Sequence, residues 1–176
     1  MKIFLNAGHG GTDPGAVSKN GTKEAEITAK IVDLLIKKLK INGYAFEAFQ
    51  QRNSYFEISK VENKSKATLF ISIHCNAATS PQANGVEVLF QEQSQKGKAF
   101  AKIFQTELIK KTKLANRGIK PRKDIHVLNR TIAPAVLIET AFITNPKEEE
   151  MLKNKPEIFA DAIFEAIKIL NKNKQI

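Results

Sequence analysis

The sequence predicts a single α/β domain with a twisted, mostly parallel central sheet of about six strands flanked by helices. Short apolar runs alternate along the chain with segments of helical periodicity, which is typical of this fold class. The runs at 69–73 and 135–138 are nearly continuous in apolar residues, as strands covered on both faces are. The length of 176 residues is that of one domain, so we assign residues 1–176 to a single domain.

Strands are predicted where short apolar runs end at glycine or polar residues. They lie near 2–6, 44–49, 69–74, 85–90, 125–128 and 135–139. The fifth of these strands, in the segment DIHVL, contains His126, which we interpret as a partly buried strand residue.

Helices are predicted where apolar residues recur every three or four positions. The first spans about 22–41, where Ile27 and Ile31 belong to one apolar face. Ser54 and Glu57 form a capping box at the start of the second helix. Further helices are predicted around 100–108, from 146 onward and over 159–170, and the last residues, 171–176, are expected to fray.

Composition excludes several classes of protein. The single cysteine, Cys75, rules out an internal disulfide. No stretch approaches the roughly 18 apolar residues of a membrane span, so we expect no membrane insertion. The apolar run at the amino terminus is too short for a secretion signal.

The net charge of +10 has two interpretations, a lysine-rich solvated surface and attraction to a polyanion. We do not expect nucleic acid as the partner, because no recognition motif is present. The chain also has only two tyrosines for stacking on bases.

Polar residues stand at the ends of three predicted strands. His9 follows the first strand in AGHGGTDPGAV, His74 ends LFISIH, and Glu139 ends AVLIE. In open α/β sheets, binding sites form at the carboxyl ends of strands. We therefore expect these three side chains to lie close together.

Glu24 is expected to join them. It precedes Ile27 by three residues and Ile31 by seven, so it shares the apolar face of the first helix. A buried, unpaired carboxylate costs several kcal/mol, so Glu24 requires a cation. Two imidazoles and one carboxylate make a catalytic zinc set, and a second carboxylate is then left to act as a base.

Each of these four residues also has a simpler interpretation. His9 could be an exposed loop histidine beside a turn. Glu24 could be a first-turn glutamate favoured by the helix dipole, and Glu139 could pair with one of the many lysines. The zinc set is preferred because His9, His74 and Glu139 follow strand ends independently of one another.

The residues next to His74 have different expected roles. Side chains alternate along a strand, so Cys75 points away from His74 and is interpreted as a small buried thiol. Asn76 returns to the His74 side and could orient a ligand or substrate, or simply cap the strand end.

Six motifs together resemble the zinc-dependent N-acetylmuramoyl-L-alanine amidases of the amidase 3 family, over nearly the whole chain. They are AGHGGTDPGA, NGTKEAEITAKI, LFISIHCNA, NGVEVLF, RGIK and PAVLIETAFITNP. The resemblance implies that His9, Glu24 and His74 hold one Zn²⁺ and that Glu139 is the catalytic glutamate. It also implies a catalytic domain that hydrolyses the amide between the lactyl group of N-acetylmuramic acid and L-alanine of the peptidoglycan stem peptide.

The sequence departs from the family pattern at several places. Ala141 stands where glycine is common, and Cys75 where alanine is also common. His126 replaces an aromatic or apolar residue, and Gln51-Arg52 replaces a threonine-arginine pair. Some relatives carry a long helical insertion that blocks the site, whereas only a short segment with one helix is expected here before the last motif.

A basic cluster before the fifth predicted strand contains Arg117, Lys120 and Arg122. These side chains could bind carboxylates of the stem peptide, or they could be solvated surface charge. Together with Asn76 they are our candidate substrate-binding residues.

The resemblance sets the biological expectations. The partners are peptidoglycan and, given the charge, anionic wall polymers, and the chain is expected to be a monomer. It should act at the bacterial cell wall, outside the cell or in the periplasm, as a phage-type lysin or as the catalytic part of a longer autolysin. Three alternatives remain open: a zinc peptidase that cleaves stem peptides, a non-catalytic wall-binding module and a basic nucleic-acid binder.

Overall fold

The computed structural model describes residues 1–50 and 55–173. Its strands are β1 (Lys2–Ala7), β2 (Ala45–Gln50), β3 (Leu69–Asn76), β4 (Val86–Gln91), β5 (Asn116–Arg122) and β6 (Ala135–Phe142). Its helices are α1 (Glu24–Ile41), α2 (Tyr55–Ser65), α3 (Gln95–Thr112), α4 (His126–Arg130), α5 (Pro146–Asn154) and α6 (Pro156–Lys172).

The six strands form one sheet in the order β2-β1-β3-β6-β4-β5. The first four strands in this order run parallel to one another, β4 is antiparallel to β6, and β5 is parallel to β4. The prediction of an α/β domain with a mostly parallel six-stranded sheet is confirmed. The carboxyl ends of β1, β3 and β6 therefore meet at one edge, together with the amino end of β4.

Helices cover both faces of the sheet. Helices α1, α3 and α6 pack on one face around apolar residues such as Leu5, Ile71 and Ile138, all fully buried. The shorter α2 and α4 cover the other face, where Phe4 and Phe70 stack with ring centres 5.8 Å apart. Burial on both faces explains why the central strands are nearly continuous apolar runs.

The fifth predicted strand is wrong. Residues 126–130 form the short helix α4, and the fifth strand lies earlier, at Asn116–Arg122. Val127 and Leu128 are buried against the sheet, a pattern that a short strand and a short helix share. Gly118 and Pro121 argue locally against a strand, yet an edge strand such as β5 tolerates them.

Other element boundaries agree with the predictions within a few residues. Helix α1 begins at Glu24 rather than at 22, and α6 continues to Lys172, so the start of the tail expected to fray is helical. Ser54 of the capping box, Gln51-Arg52 and residues 174–176 lie outside the described residues. Within the described part of the chain, no helix has the length and apolarity needed to cross a membrane.

Candidate metal centre

Four of the predicted site residues meet at the edge where β1, β3 and β6 end. His9 follows β1 in a glycine-rich loop, and His74 and Glu139 lie in β3 and β6, paired in register. Glu24 is the first residue of α1 and is only 4% exposed. The expectation that Glu24 points into the protein is therefore confirmed.

Glu24 lies between the two imidazoles. Its Oε1 atom is 3.0 Å from His74 Nδ1, and its Oε2 atom is 3.3 Å from His9 Nε2. The rings of His9 and His74 stand edge to face with centres 5.0 Å apart. One ligand atom from each of the three residues lies within 4.8 Å of the others, so the three side chains converge on a common point.

The backbone also holds the Glu24 carboxylate. The amide of Cys75 donates to Oε1 at 2.9 Å, and the amide of Ala16 donates to Oε2 at 2.9 Å. Helix α1 is tied to the end of β1 in turn, because Thr28 Oγ1 donates to the carbonyl of Gly8 at 2.7 Å. The carboxylate is thus fixed before any ligand binds.

The loop after β1 orients His9. Asp13 Oδ2 lies 2.8 Å from His9 Nδ1, and Asp13 Oδ1 accepts from the amide of Gly15. This contact directs Nε2 toward Glu24, as outer-shell carboxylates direct histidines that bind metals. His9 has a φ of 61°, a left-handed conformation that is strained for a non-glycine residue and is typical of functional sites.

Two glycines leave room for the imidazoles. A Cβ atom on Gly8 would overlap with the ring of His74, and one on Gly15 would lie 2.7 Å from both Glu24 Oε2 and His9 Cδ2. Gly15 also has a φ of 66°, which disfavours any other residue. Both glycines of the motif are therefore required by the close approach of these side chains.

The proximity of these groups shifts the pKa values of Glu24 and His9. Burial alone raises the pKa of Glu24, but the contacts with His74 and His9 outweigh it and place the pKa below its ordinary value. The Glu24 carboxylate, followed by Asp13, raises the pKa of His9 to about 9 despite partial burial. In the metal-free protein His9 is therefore protonated at neutral pH and carries the positive charge that the buried Glu24 requires.

The donor set fits a zinc ion. Two imidazoles and one carboxylate are the ligands of many catalytic zinc sites, which keep a fourth position open. In the metal-free protein the proton on His9 supplies positive charge next to the Glu24 carboxylate. A metal ion that binds between His9, Glu24 and His74 displaces this proton. His9, Glu24 and His74 are thus the residues that could hold Zn²⁺.

The environment of Glu139 differs from that of Glu24. Its register partners are His74 on β3 and Glu87 on β4, so these three side chains stand in a row on one face of the sheet. Glu139 Oε2 is buried and accepts no hydrogen bond from the described residues. Burial raises the pKa of Glu139 to about 7, with His74 acting in the opposite direction and Glu24 and Glu87 adding to the rise.

Glu87 was not predicted, and it explains where two predicted substrate residues lie. Its Oε1 atom accepts from Asn76 Nδ2 at 3.0 Å, and its Oε2 atom accepts from Arg117 Nε at 2.9 Å. The Arg117 guanidinium also lies 4.8 Å from the centre of the Phe142 ring. Asn76 and Arg117 thus bond to the carboxylate of the neighbouring Glu87 rather than to Glu139. An acidic residue within the apolar run VEVLF was the sequence signal for Glu87.

Lys120 and Arg122 lie farther along the edge strand β5. Lys120 pairs in register with Leu89, and Arg122 pairs with Gln91, so their backbones lie farther from the catalytic edge than that of Arg117. Asp124 raises the pKa of Arg122 most, and the carboxylates of Glu87 and Glu139 add to this rise. Arg122 forms a bidentate ion pair with Asp124, in which Nε donates to Oδ1 at 2.8 Å and Nη2 donates to Oδ2 at 2.6 Å. Lys120 is exposed.

A cleft of about 380 Å³ opens beside the two histidines. His9, Asp13 and His74 line it together with Asp124, His126 and Leu137. His126 Nε2 lies 3.2 Å from Ser59 Oγ on α2, and burial lowers the pKa of His126. This histidine, interpreted from the sequence as a strand residue, lies instead on a helix that forms a wall of the cleft.

Two further predictions are confirmed: Cys75 is a small buried thiol, and one helix occupies the segment between β4 and β5. Cys75 points to the opposite face, where it is 4% exposed and its Sγ lies 3.5 Å from Thr140 Oγ1. Burial raises the pKa of this thiol, which makes it a poor nucleophile. The chain between β4 and β5 holds the single helix α3, which packs against α6 and the sheet.

Two neighbouring glutamates of α5 anchor the segments that carry the site residues, and neither was predicted from the sequence. Glu148 accepts from the backbone amides of Gly85 and Phe142, both at 2.7 Å, which anchors the strands of Glu87 and Glu139. Glu149 accepts from the side chains of Ser18, Asn20 and Thr22 at 2.7, 2.8 and 2.5 Å, which anchors the loop before Glu24.

Comparison with known proteins gives consistent similarities. Residues 3–169 match the family described as N-acetylmuramoyl-L-alanine amidase. The chain is 33% identical over 171 residues to the "probable cell wall amidase LytH" of Staphylococcus aureus. This alignment covers 95% of the chain but 57% of that relative, so the chain spans little more than half the length of the curated relatives it matches.

Solved structures share the whole fold. An N-acetylmuramoyl-L-alanine amidase from Clostridium difficile 630 superposes with a TM-score of 0.90 at 27% identity, covering 98% of this chain and 97% of that one. The CwlD amidase of Clostridioides difficile, solved in complex with the GerS lipoprotein, gives 0.91 at 30% identity and covers 97% and 98%.

Proposed function

Because the chain belongs to the N-acetylmuramoyl-L-alanine amidase family, we propose that it is a zinc-dependent hydrolase of peptidoglycan. The bond cleaved is the amide between the lactyl group of N-acetylmuramic acid and L-alanine of the stem peptide. The convergence of His9, Glu24 and His74 within 4.8 Å is the observation that carries the proposal. Beside it lies Glu139, whose buried Oε2 atom has no hydrogen-bond partner among the described residues.

His9, Glu24 and His74 hold one Zn²⁺ in this proposal. When bound, the ion supplies Lewis-acid chemistry, which lowers the pKa of a water molecule and stabilises negative charge on the amide oxygen. Asp13 keeps His9 oriented with Nε2 toward the centre, while Gly8 and Gly15 let the imidazoles approach.

Glu139 is the general base and then the general acid. Its carboxylate takes a proton from the attacking water and delivers that proton to the departing amine. A base works best when its pKa is close to the working pH, and burial brings the pKa of Glu139 to about 7. Glu87 holds the donors of Asn76 and Arg117, so neither of them lowers that pKa by bonding to Glu139.

The cleft beside the histidines is the proposed entrance for the stem peptide. The exposed Arg117 and Lys120 and the partly exposed Arg122 remain candidates for binding its carboxylates. The two arginines must then divide their N–H donors between the substrate and their present partners Glu87 and Asp124. We place the reaction at the bacterial cell wall and expect the chain to act as a monomer.

The test is product identification on purified peptidoglycan. The protein is incubated with the wall polymer as prepared, after treatment with a chelator, and after zinc is added back. Release of peptides that begin with a new L-alanine amino terminus, lost with the chelator and restored by zinc, is the expected result.

Two outcomes would overturn the proposal. Cleavage within the stem peptide, with L-alanine still attached to the sugar, would identify a peptidase. Binding to the wall with no cleavage under any of the three conditions would identify a non-catalytic wall-binding module.

A further inference from the structure

The excess positive charge of the chain is concentrated in one segment. Residues 95–123 carry ten lysine and arginine side chains and a single acidic residue, Glu107, so their formal charge is +9. The whole chain has a net charge of +10. The charges in the rest of the sequence therefore nearly balance, and a general enrichment in lysine does not explain the pattern.

The structure places this segment on one flank of the domain. It forms α3 and the edge strand β5, which pack against each other and against β4. All eight lysines of the segment are exposed, whereas Glu107 is buried and lies 3.6 Å from Lys110. We call this flank the basic flank, defined by Lys96, Lys98, Lys102, Lys110, Lys111, Lys113, Arg117, Lys120, Arg122 and Lys123.

The basic flank is long and adjoins the catalytic edge. The 18 residues of α3 span about 27 Å, enough to contact several repeat units of a linear polymer. At the start of β5, Arg117 bonds to Glu87, which is the register partner of Glu139. A polymer bound along the flank would reach the catalytic edge at Arg117 and leave the cleft open, since α4 lines the cleft on the opposite face of the sheet from α3.

The chemistry of the flank favours a phosphodiester polymer. Lysine binds phosphate as a flexible point charge, whereas arginine is the residue of defined bidentate recognition, and eight of the ten cations are lysines. The only aromatic residues in the segment, Phe100 and Phe104, are buried. The flank therefore offers no surface for stacking on nucleic-acid bases.

From the charge segregation, the exposure and the position of this flank, we propose that it docks a linear polyol-phosphate polyanion of the cell wall. Docking concentrates the domain in the wall and holds the cleft next to peptidoglycan. The proposal rests on the proposed function only for the wall as the place of action, since polymer binding does not require amide cleavage.

The test compares two variants of equal net charge. One carries Lys98→Gln, Lys102→Gln and Lys111→Gln on the basic flank. The control carries Lys37→Gln, Lys40→Gln and Lys60→Gln, three exposed lysines on α1 and α2. Binding of fluorescent poly(glycerol phosphate) is measured by anisotropy between 50 and 300 mM salt, with oligo(dT) and polyglutamate as competitors.

The wild type and the control variant should bind with the same affinity within about twofold. The flank variant should bind at least tenfold more weakly at 100 mM salt. Its plot of log affinity against log salt should be shallower by about 2, since each phosphate contact on a flexible single-stranded polyanion contributes about 0.7. Thermal unfolding checks that all three proteins are folded.

Equal loss in both variants would overturn the proposal, because net charge alone would then explain binding. Competition by oligo(dT) as strong as that of poly(glycerol phosphate) would identify a nucleic-acid surface instead, and equally strong competition by polyglutamate would remove the preference for phosphate. Cleavage of a soluble muropeptide is assayed in parallel, and its absence in the wild type would count against the proposed function only.

Discussion

Glu24 and Glu139 are carboxylates at the same edge of the sheet, but their surroundings are opposite. Glu24 has four polar neighbours at its two oxygen atoms, the amides of Ala16 and Cys75 and the rings of His9 and His74. Glu139 Oε2 has no partner among the described residues. The pKa of Glu24 is accordingly low, and that of Glu139 rises to about 7.

The difference shows how one edge can produce two chemical roles. A carboxylate that stays ionised and is held rigidly by donors is suited to bind a cation. A carboxylate that is desolvated and free of donors can gain and lose a proton near neutral pH. The same substitution at the two positions should therefore give different phenotypes.

The largest effect is expected for Glu139→Gln. This change removes the proposed base but keeps the size of the side chain, so turnover should fall by about 10²–10⁴-fold. Zinc content, measured by metal analysis of the purified protein, should stay at that of the wild type. A variant with near-normal turnover would remove Glu139 from the mechanism.

Glu24→Gln should instead abolish stable metal binding. The amide loses the negative charge and places an NH₂ group against donors that now bond to a carboxylate. Zinc affinity, measured by competition with a chelator, should fall by more than the 10–100-fold typical of outer-shell partners. Retention of zinc at wild-type affinity would contradict the assignment of Glu24, with Glu139→Gln as the matched control.

Glu139 should also make the metal-free protein less stable as the pH rises. Its folded-state pKa is about 7, above the unfolded value, so the folded state binds more protons and loses stability as the pH rises through this range. Between pH 4 and pH 8 the stability of wild type relative to Glu139→Gln should fall by about 3 kcal/mol.

Urea unfolding of both proteins in a chelator measures this difference, because the comparison cancels titrations that the two proteins share. A difference that does not change with pH would show that the Glu139 carboxylate is solvated.

The smallest effect concerns the pH dependence of zinc binding. In the metal-free protein the pKa of His9 is about 9, so below this pH the ion must displace a proton from the ring. Apparent affinity should rise about tenfold per pH unit from pH 6 to pH 8. Calorimetry in two buffers with different ionisation enthalpies should detect proton release, and pH-independent affinity would contradict protonation of His9.

Local sequence patterns predicted that four side chains would meet at the carboxyl edge of the sheet. His9, His74 and Glu139 end apolar strands, and parallel strands bring their carboxyl ends to one edge. Glu24 was identified because a carboxylate on the apolar face of α1 must find a cation. These signals lie within a few residues of each side chain.

The features that the sequence did not predict depend on contacts between segments that are distant along the chain. Glu149 bonds to Ser18 across 131 residues, and Glu87 matters only because β4 pairs with β6. Likewise the edge position of β5 allows a strand with Gly118 and Pro121. Sequence patterns alone do not state which strands are neighbours, so these roles appear only in the folded chain.

The contrast between the two glutamates is tested most directly by a crystal structure of the protein grown with one equivalent of zinc. We predict one ion bound by His9 Nε2, His74 Nδ1 and a Glu24 oxygen at about 2.0–2.2 Å, with Glu139 beside it and outside direct coordination. An ion bound by Glu139, with Glu24 turned away from both histidines, would contradict this prediction.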